Sequence, residues 1–326
     1  MSTLEQDDMS SGQSASDVTG GDHLHRAYGL VFRSDVPLLL VPRIEVSEGQ
    51  PIDVVVQRGS LPRVAPPPAC GSVVCWSKGQ DAGFQVPTVG EFRATAGQEI
   101  VYDLNEGADV GRVPAYVIGV SMALILHQRG FLVLHGSAVE HDGKCFAFVA
   151  PKYHGKSTLS AALQARGCKL VTDDLIPVRI DESGLPTVTP AYPFSKVWPD
   201  AFAAIGEDAD KSPRFLEGFD KRLRVVGEEG MAQEPVPLTR VYVLEWSDKL
   251  DVDRLPRAEA FQQTVTHTHH HVLPLISETS RGQIDHFQAL GSVLRHTTVS
   301  RLRRPRNLDG LDEVCDLLLD DFDRDY

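Results

Sequence analysis

The sequence predicts an α/β protein, and three observations carry that prediction. Strands and helices alternate from about residue 131 onward, as FLVLH, CFAFVA, a helical stretch over 155–166 and KLVTDD. A Gly-Lys-Ser-Thr run at 155–158 stands between an apolar strand and that helical stretch. The front third carries short Val/Ile/Leu-rich runs (YGLVF, PLLLVP, IDVVVQ and EIVYDL) punctuated by Gly, Pro, Asp and Ser, which reads as a small β-rich module.

Taken in order, residues 1–26 are Ser-, Asp- and Gly-rich without apolar periodicity and are expected to be a disordered tail. Residues 27–111 form the β-rich N-terminal module, with Pro66-Pro67-Pro68 as an extended loop. Residues 112–326 form the second domain. It opens on a helix with Pro114 in its first turn and Gly130 just past its end, apolar nearly all round and therefore buried. The 190–235 stretch is irregular, RVYVLEW (240–246) reads as a strand, and LDEVCDLLLDDF reads as an amphipathic C-terminal helix.

Composition narrows the function classes. The 326 residues carry 42% hydrophobic and 24% charged side chains, ordinary for a globular chain, and a net charge of −13. That charge argues against nucleic acid and anionic membrane as partners. Five scattered cysteines without a Cys-x-x-Cys pair indicate neither a disulfide framework nor a zinc ribbon. The polar start does not resemble a signal peptide, and the apolar run Ala115 to Leu126 is too short for a bilayer. A cytoplasmic location with reduced thiols is expected.

The segment from Cys145 to Thr158 has the pattern of a phosphate-binding loop, with Ala150 in place of its first glycine. Backbone N–H groups of such a loop and of the following helix face a polyphosphate. Gly155 lets the backbone approach, Lys156 is a point charge for the β and γ oxygens, and the Ser157 hydroxyl suits magnesium. Pro151 removes one donor, and Lys152, Tyr153 and His154 are bulky where small residues are usual, so a wider loop is expected. ATP and Mg²⁺ are the expected cofactors, held by Tyr153 to Thr158.

Fifteen residues beyond Ser157, a short apolar strand ends in Asp173-Asp174. One carboxylate is expected to hold metal and the other to take a proton from an attacking hydroxyl. The order is open, with Ser157 and Asp174 carried forward as the metal pair. His135, at the end of the strand FLVLH, is a candidate neighbour of these carboxylates. Lys221 and Arg222 are basic candidates for binding ATP phosphates or an acidic peptide. Arg301, Arg303, Arg304 and Arg306 read first as a surface strip balanced by the acidic tail, and second as an arginine supplied in cis to the transferred phosphoryl group. The run His267, His269, His270, His271 is expected to be solvated or packed rather than metal-bound.

The stretch HGSAVEHDGKCFAFVAPKYHGKSTLSAALQARGCKLVTDDLIPV resembles the catalytic core of the HPr kinase/phosphorylase family. More closely, the chain resembles the HPr-kinase-like proteins encoded near lasso-peptide and related genes, through FRSDVPL, ALILHQRGFLVLHGSAV, FSKVWPDAFAAIG and RRPRNLDGL. The resemblance covers roughly residues 27 to 320. It implies a fold resembling phosphoenolpyruvate carboxykinase. It also implies catalytic roles for His135, Lys156, Asp173 and Asp174, and a substrate role for Lys196 in Lys-x-Trp-Pro. The implied activity is phosphoryl transfer to a serine of a precursor peptide or small protein, as relatives act on a C-terminal serine. The Glu-Val-Arg-Gly segment of bacterial HPr kinases is absent, so sugar-uptake regulation is not expected. Two alternatives stand beside this reading: a non-catalytic nucleotide- or peptide-binding module, and an ATPase or phosphorylase using water or phosphate. The oligomeric state stays open, a homo-oligomer included.

Overall fold

The computed structural model describes residues 22–38, 41–45, 49–62, 74–216, 218–269 and 280–324. Pro66 to Pro68, His270, His271 and the first 21 residues of the expected tail lie outside them. The remainder of that tail does not behave as expected, because a strand begins at His23.

The first sheet comprises β1 (His23–Ala27), β2 (Leu30–Ser34), β3 (Val54–Arg58), β4 (Val74–Lys78), β5 (Asp81–Val86), β6 (Gly90–Thr95) and β7 (Glu99–Leu104), in the order β1-β2-β3-β7-β6-β5-β4. β1 and β2 form a hairpin closed by Tyr28 and Gly29, both at positive φ (55° and 71°), as a two-residue turn of matching twist requires. The run PLLLVP forms no strand among the described residues. Its two prolines lack ladder donors, and Leu38 and Val41 fill the core from a loop instead. Gly83 within β5 and Gly90 at the start of β6 interrupt the alternation of those two strands.

Helix α1 spans Val110–Gln128 and includes a π turn at Val117–Ser121. Asp109 caps its start by accepting from the Gly111 N–H at 2.8 Å. At 19 residues it is longer than the apolar run that predicted it, and long and apolar enough to cross a membrane. Its apolar residues, from Val113 to Leu126, instead share a core with Phe84, Phe92, Ile100 and Tyr102 of the first sheet. Residue 112 lies inside this helix, and the same core also takes in Val133, Leu175, Tyr192 and Phe194 from further along the chain.

The second layer contains β8 (Leu132–His141), β9 (Lys144–Val149), α2 (Lys156–Gln164), β10 (Lys169–Ile180), β11 (Pro186–Val188), β12 (Phe194–Val197), α3 (Pro199–Ala204), β13 (Arg222–Val225), β14 (Val236–Trp246), β15 (Asp251–Arg254), α4 (Arg257–Thr266), α5 (Ser280–His296), β16 (Thr298–Arg304) and α6 (Leu311–Phe322). Its main sheet runs β11-β10-β8-β9-β14-β16-β15, with β11 also paired to β14; β12 and β13 form a separate ribbon. Strands β9, β14 and β16 are parallel neighbours. Their carboxyl ends consequently reach one edge, where ligands gather in open α/β sheets.

Successive side chains of β9 face opposite ways, and both faces are covered. Cys145, Ala147 and Val149 pack toward α4 and α5, with Ala260, Leu290 and Val293. Phe146 and Phe148 pack toward α2 and α6, with Leu159, Leu163, Leu318 and Phe322. Helix α6 buries Leu311, Val314, Cys315, Leu318 and Phe322 on one stripe. It is anchored by Asp321, which takes Arg240 at 2.5 Å and the Tyr242 hydroxyl at 2.7 Å in a buried cluster.

Candidate active site

The loop between β9 and α2 follows from local chemistry. Apolar β9 ends at Val149, and α2 starts directly after Gly155, whose φ of 72° only glycine adopts without strain. A Cβ at Gly155 would also run into the Arg304 guanidinium. Tyr153 shares the left-handed conformation (φ 68°), so the bulky loop is wound, not merely widened. The Lys156 ammonium turns back across it, donating to the carbonyls of Ala150 at 2.9 Å and Pro151 at 3.2 Å. Burial pushes Lys156 down to about 8, against the pull of Asp173 and Asp174.

The acidic pair does not end a strand. It lies in the middle of β10, with Asp173 opposite Ser137 and Asp174 opposite Gly136 on β8. Neighbouring strand residues normally face opposite ways, yet both carboxylates turn toward the loop because Asp174 sits at φ 80°. That conformation costs about 1–3 kcal/mol and marks a position the surroundings hold in place. The two acids then diverge. Asp173 is buried and accepts the Ser157 hydroxyl at 2.8 Å and the Lys196 N–H at 2.8 Å. Asp174 takes the Lys196 ammonium at 2.5 Å and has His135 Nδ1 at 3.5 Å. Burial alone would raise Asp174, but the Lys196 cation and His135 hold it well below the usual carboxylate range. The same pairing raises Lys196 despite its burial. Ser157 is therefore coupled to Asp173, not to Asp174 as expected. Both oxygens of Asp173 are bound by neutral donors and none by a cation, which leaves this hard oxygen set suited to magnesium.

His135 also departs from expectation. β8 runs on to His141, so His135 lies within it, opposite Leu175. Its ring reaches Asp174 because β9 ends beside Gly136, and residues 267–269 take the vacated edge. The His135 N–H donates to the His267 carbonyl at 2.9 Å, and the His269 N–H to the Val133 carbonyl at 2.8 Å. His267 and His269 are thus buried beside the site, not solvated; the His269 ring stands edge-on to His135 at 5.9 Å. Burial pushes His267 down to about 4, helped by the nearby Lys156 and His154.

Above these groups opens a cleft of about 700 Å³. Of the expected site residues, His135, Tyr153, Gly155, Lys156, Ser157, Thr158, Asp173, Asp174, Lys196 and Lys221 line it. Two others stand apart. The His154 ring stacks on Trp246 at 5.4 Å, and its carbonyl accepts from Arg304 at 2.9 Å. Arg222 turns from the cleft to the Ser212 carbonyl and Asp210.

No family model matches the chain, and no curated protein matches it. Solved structures are similar to it, among them the HPr(Ser) kinase/phosphatase from Coxiella burnetii, at 14% identity over 58% of this chain and 95% of that one, with a TM-score of 0.32.

Several cleft residues were not legible beforehand. Arg304 is 2% exposed, lies 4.6 Å over the Trp246 ring, and is pushed down to about 10 by burial. Its place on the surface strip is thereby corrected. Trp246 and Arg304 arrive at the loop because β14 and β16 run parallel to β9. On the opposite side, Tyr153 leans on Trp198 at 6.0 Å, Lys221 lies 5.8 Å over Trp198, and Lys196 lies 4.7 Å over Phe215. Behind the acids, Tyr192 donates to the Asp173 carbonyl at 3.3 Å, and Tyr28 of the first sheet packs edge-on to Tyr192 at 5.8 Å. The available sequence signals were the carboxyl end of RVYVLEW and the arginines that open RRPRNLDGL. A wound loop at a helix start, a lysine turned across it and two carboxylates with different partners can together bind a polyphosphate and accept a proton.

Proposed function

We propose that the chain is an ATP-dependent kinase that transfers the γ-phosphoryl group to a hydroxyl, a serine of a ribosomal peptide such as the C-terminal serine of a lasso-peptide precursor. The observation that carries this reading is the division of labour within the acid pair: Asp173 bonded to Ser157 at 2.8 Å, Asp174 to Lys196 at 2.5 Å. A simple surface turn has no use for a strained aspartate poised between a lysine and a histidine.

In this reading, the triphosphate lies along the loop from Ala150 to Thr158, with its charge met by backbone N–H groups at the start of α2. Lys156 exchanges its two carbonyl partners for phosphate oxygens. Ser157 and Asp173 would hold magnesium, which supplies charge neutralisation at the β and γ oxygens. Asp174, kept ionised by Lys196 and His135, receives the proton of the acceptor hydroxyl. Arg304 braces the loop through the His154 carbonyl. Most of the rate enhancement then comes from positioning and preorganised charge. ATP use accords with a cytoplasmic location.

The test is incubation with Mg·ATP and a serine-ended precursor peptide, read by mass spectrometry. One added phosphate, lost in Lys156→Ala, is expected. A gain that persists in Lys156→Ala rejects the residue assignment.

A further inference from the structure

We propose that Arg304 holds the phosphates that the reaction does not transfer, so that the nucleotide supplies the counter-charge this buried cation lacks. The proposal rests on the kinase reading above. Three observations point to it.

The first is an unmet charge. Among the described residues, the other buried lysines and arginines each have an acid. Arg240 has Asp321 at 2.5 Å, Lys196 has Asp174 at 2.5 Å, and Arg224 has Glu207 at 2.7 Å. Arg304 is the most buried of this set, and it makes no ion pair among the described residues. Its neighbours are neutral: the His154 carbonyl at 2.9 Å and the Trp246 ring at 4.6 Å. The ionisable group that favours its charge is the Cys315 thiol, itself pushed up to about 11 by burial and so uncharged at pH 7. The Arg304 Nε is buried without a hydrogen-bond partner. Buried charges are normally paired, so an unpaired one at a cleft wall marks a place for an anion.

The second is position. Arg304 lines the same cleft as Lys156 and the acid pair. It ends β16, two strands from β9 on one side, whereas Asp173 and Asp174 lie on β10, two strands from β9 on the other. At strand spacing, those backbones are about 19 Å apart across the sheet. The two groups therefore flank the loop that follows β9. The transferred phosphoryl group belongs beside the acids. The cleft continues past Arg304 to Arg306, Asn307 and Leu308, which gives the rest of the nucleotide room on that flank.

The third is orientation. The guanidinium is held by the His154 carbonyl and the Trp246 ring, and Gly155 leaves it the space that a Cβ would take. It thus stands against the backbone that starts α2, where N–H groups face phosphate. A planar fork fixed there matches two phosphate oxygens at once. Because ATP and ADP both carry the phosphates in question, Arg304 serves substrate and product alike.

The test is Arg304→Met, read by calorimetric titration with Mg·ATP and Mg·ADP, by thermal unfolding without nucleotide, and by peptide phosphorylation kinetics. Affinity for both nucleotides should fall at least tenfold. KM for ATP should rise in step, with the loss in kcat below threefold. The nucleotide-free variant should melt no lower than the unaltered chain, because it loses a charge that has no partner there. A melting point lowered by several degrees makes Arg304 a structural brace of the loop and overturns the proposal, whatever the affinity. So does a kcat that falls while affinity holds, which would put Arg304 on the transferred group. Arg304→Lys keeps the cation but not the fork, and should weaken Mg·ADP at least threefold. Undiminished ADP affinity in Arg304→Lys also overturns the proposal, and that measurement decides if Arg304→Met is insoluble. In each of these cases the kinase reading stands as long as the unaltered chain phosphorylates the peptide. If the unaltered chain binds no Mg·ATP, both proposals fall.

Discussion

Lys196 grips both members of the acidic pair with different parts of itself: its ammonium meets Asp174 at 2.5 Å while its backbone N–H meets Asp173 at 2.8 Å. One residue of β12 thereby fixes the two carboxylates of β10 in distinct electrostatic states.

Replacing Lys196 by Met removes the cation that offsets the burial of Asp174. Truncating one partner of such a pair destabilises by about 3–5 kcal/mol. Asp174 should then titrate upward, and phosphoryl transfer should fall at least a hundredfold with nucleotide affinity changed less than threefold. Single-turnover kinetics beside calorimetric titration checks this. Loss of binding in parallel with transfer would show that Lys196 acts on the nucleotide instead.

Gly155→Ala places a Cβ at φ 72° and against the Arg304 guanidinium. The backbone penalty is about 1–2 kcal/mol. A fall in Mg·ATP affinity of at least tenfold is expected, with melting still cooperative. Unchanged affinity would remove the loop from the nucleotide site.

Asp321→Ala strips the buried Arg240 and Tyr242 of their shared acceptor, in a region away from the cleft. A loss of about 3–5 kcal/mol is expected from denaturant unfolding. Asp321→Asn, which keeps an acceptor, should lose less. Equal losses would mean that shape, not charge, governs the α6 anchor.

Acid should weaken the fold through His127, which burial pushes from 6.5 down to about 4. With the folded value depressed, the unfolded chain binds the proton first as pH falls below 6.5. Stability present above 6.5 is therefore lost progressively toward pH 4, by about 1–3 kcal/mol for this group. Urea midpoints at pH 7 and pH 5 measure the slope, which should be shallower in His127→Leu. Identical slopes would assign the acid sensitivity to other groups.

Local chemistry alone announced the strand of alternating Phe146 and Phe148, the Gly-Lys-Ser-Thr helix start, the acidic pair and the apolar stripe of α6, because each is written within a dozen neighbouring residues. It could not announce partners brought in by pairing. Asp173 joins Ser157, and Asp174 joins Lys196, only because β10 kinks at φ 80° against β8 and β12. Trp246 and Arg304 reach the loop through the parallel register of β9, β14 and β16. His267 and His269 lie at the site because β9 stops short and leaves an edge of β8 to fill. Strand register between distant segments is settled by burial of whole faces at once, a property of the assembled sheet that no single segment carries.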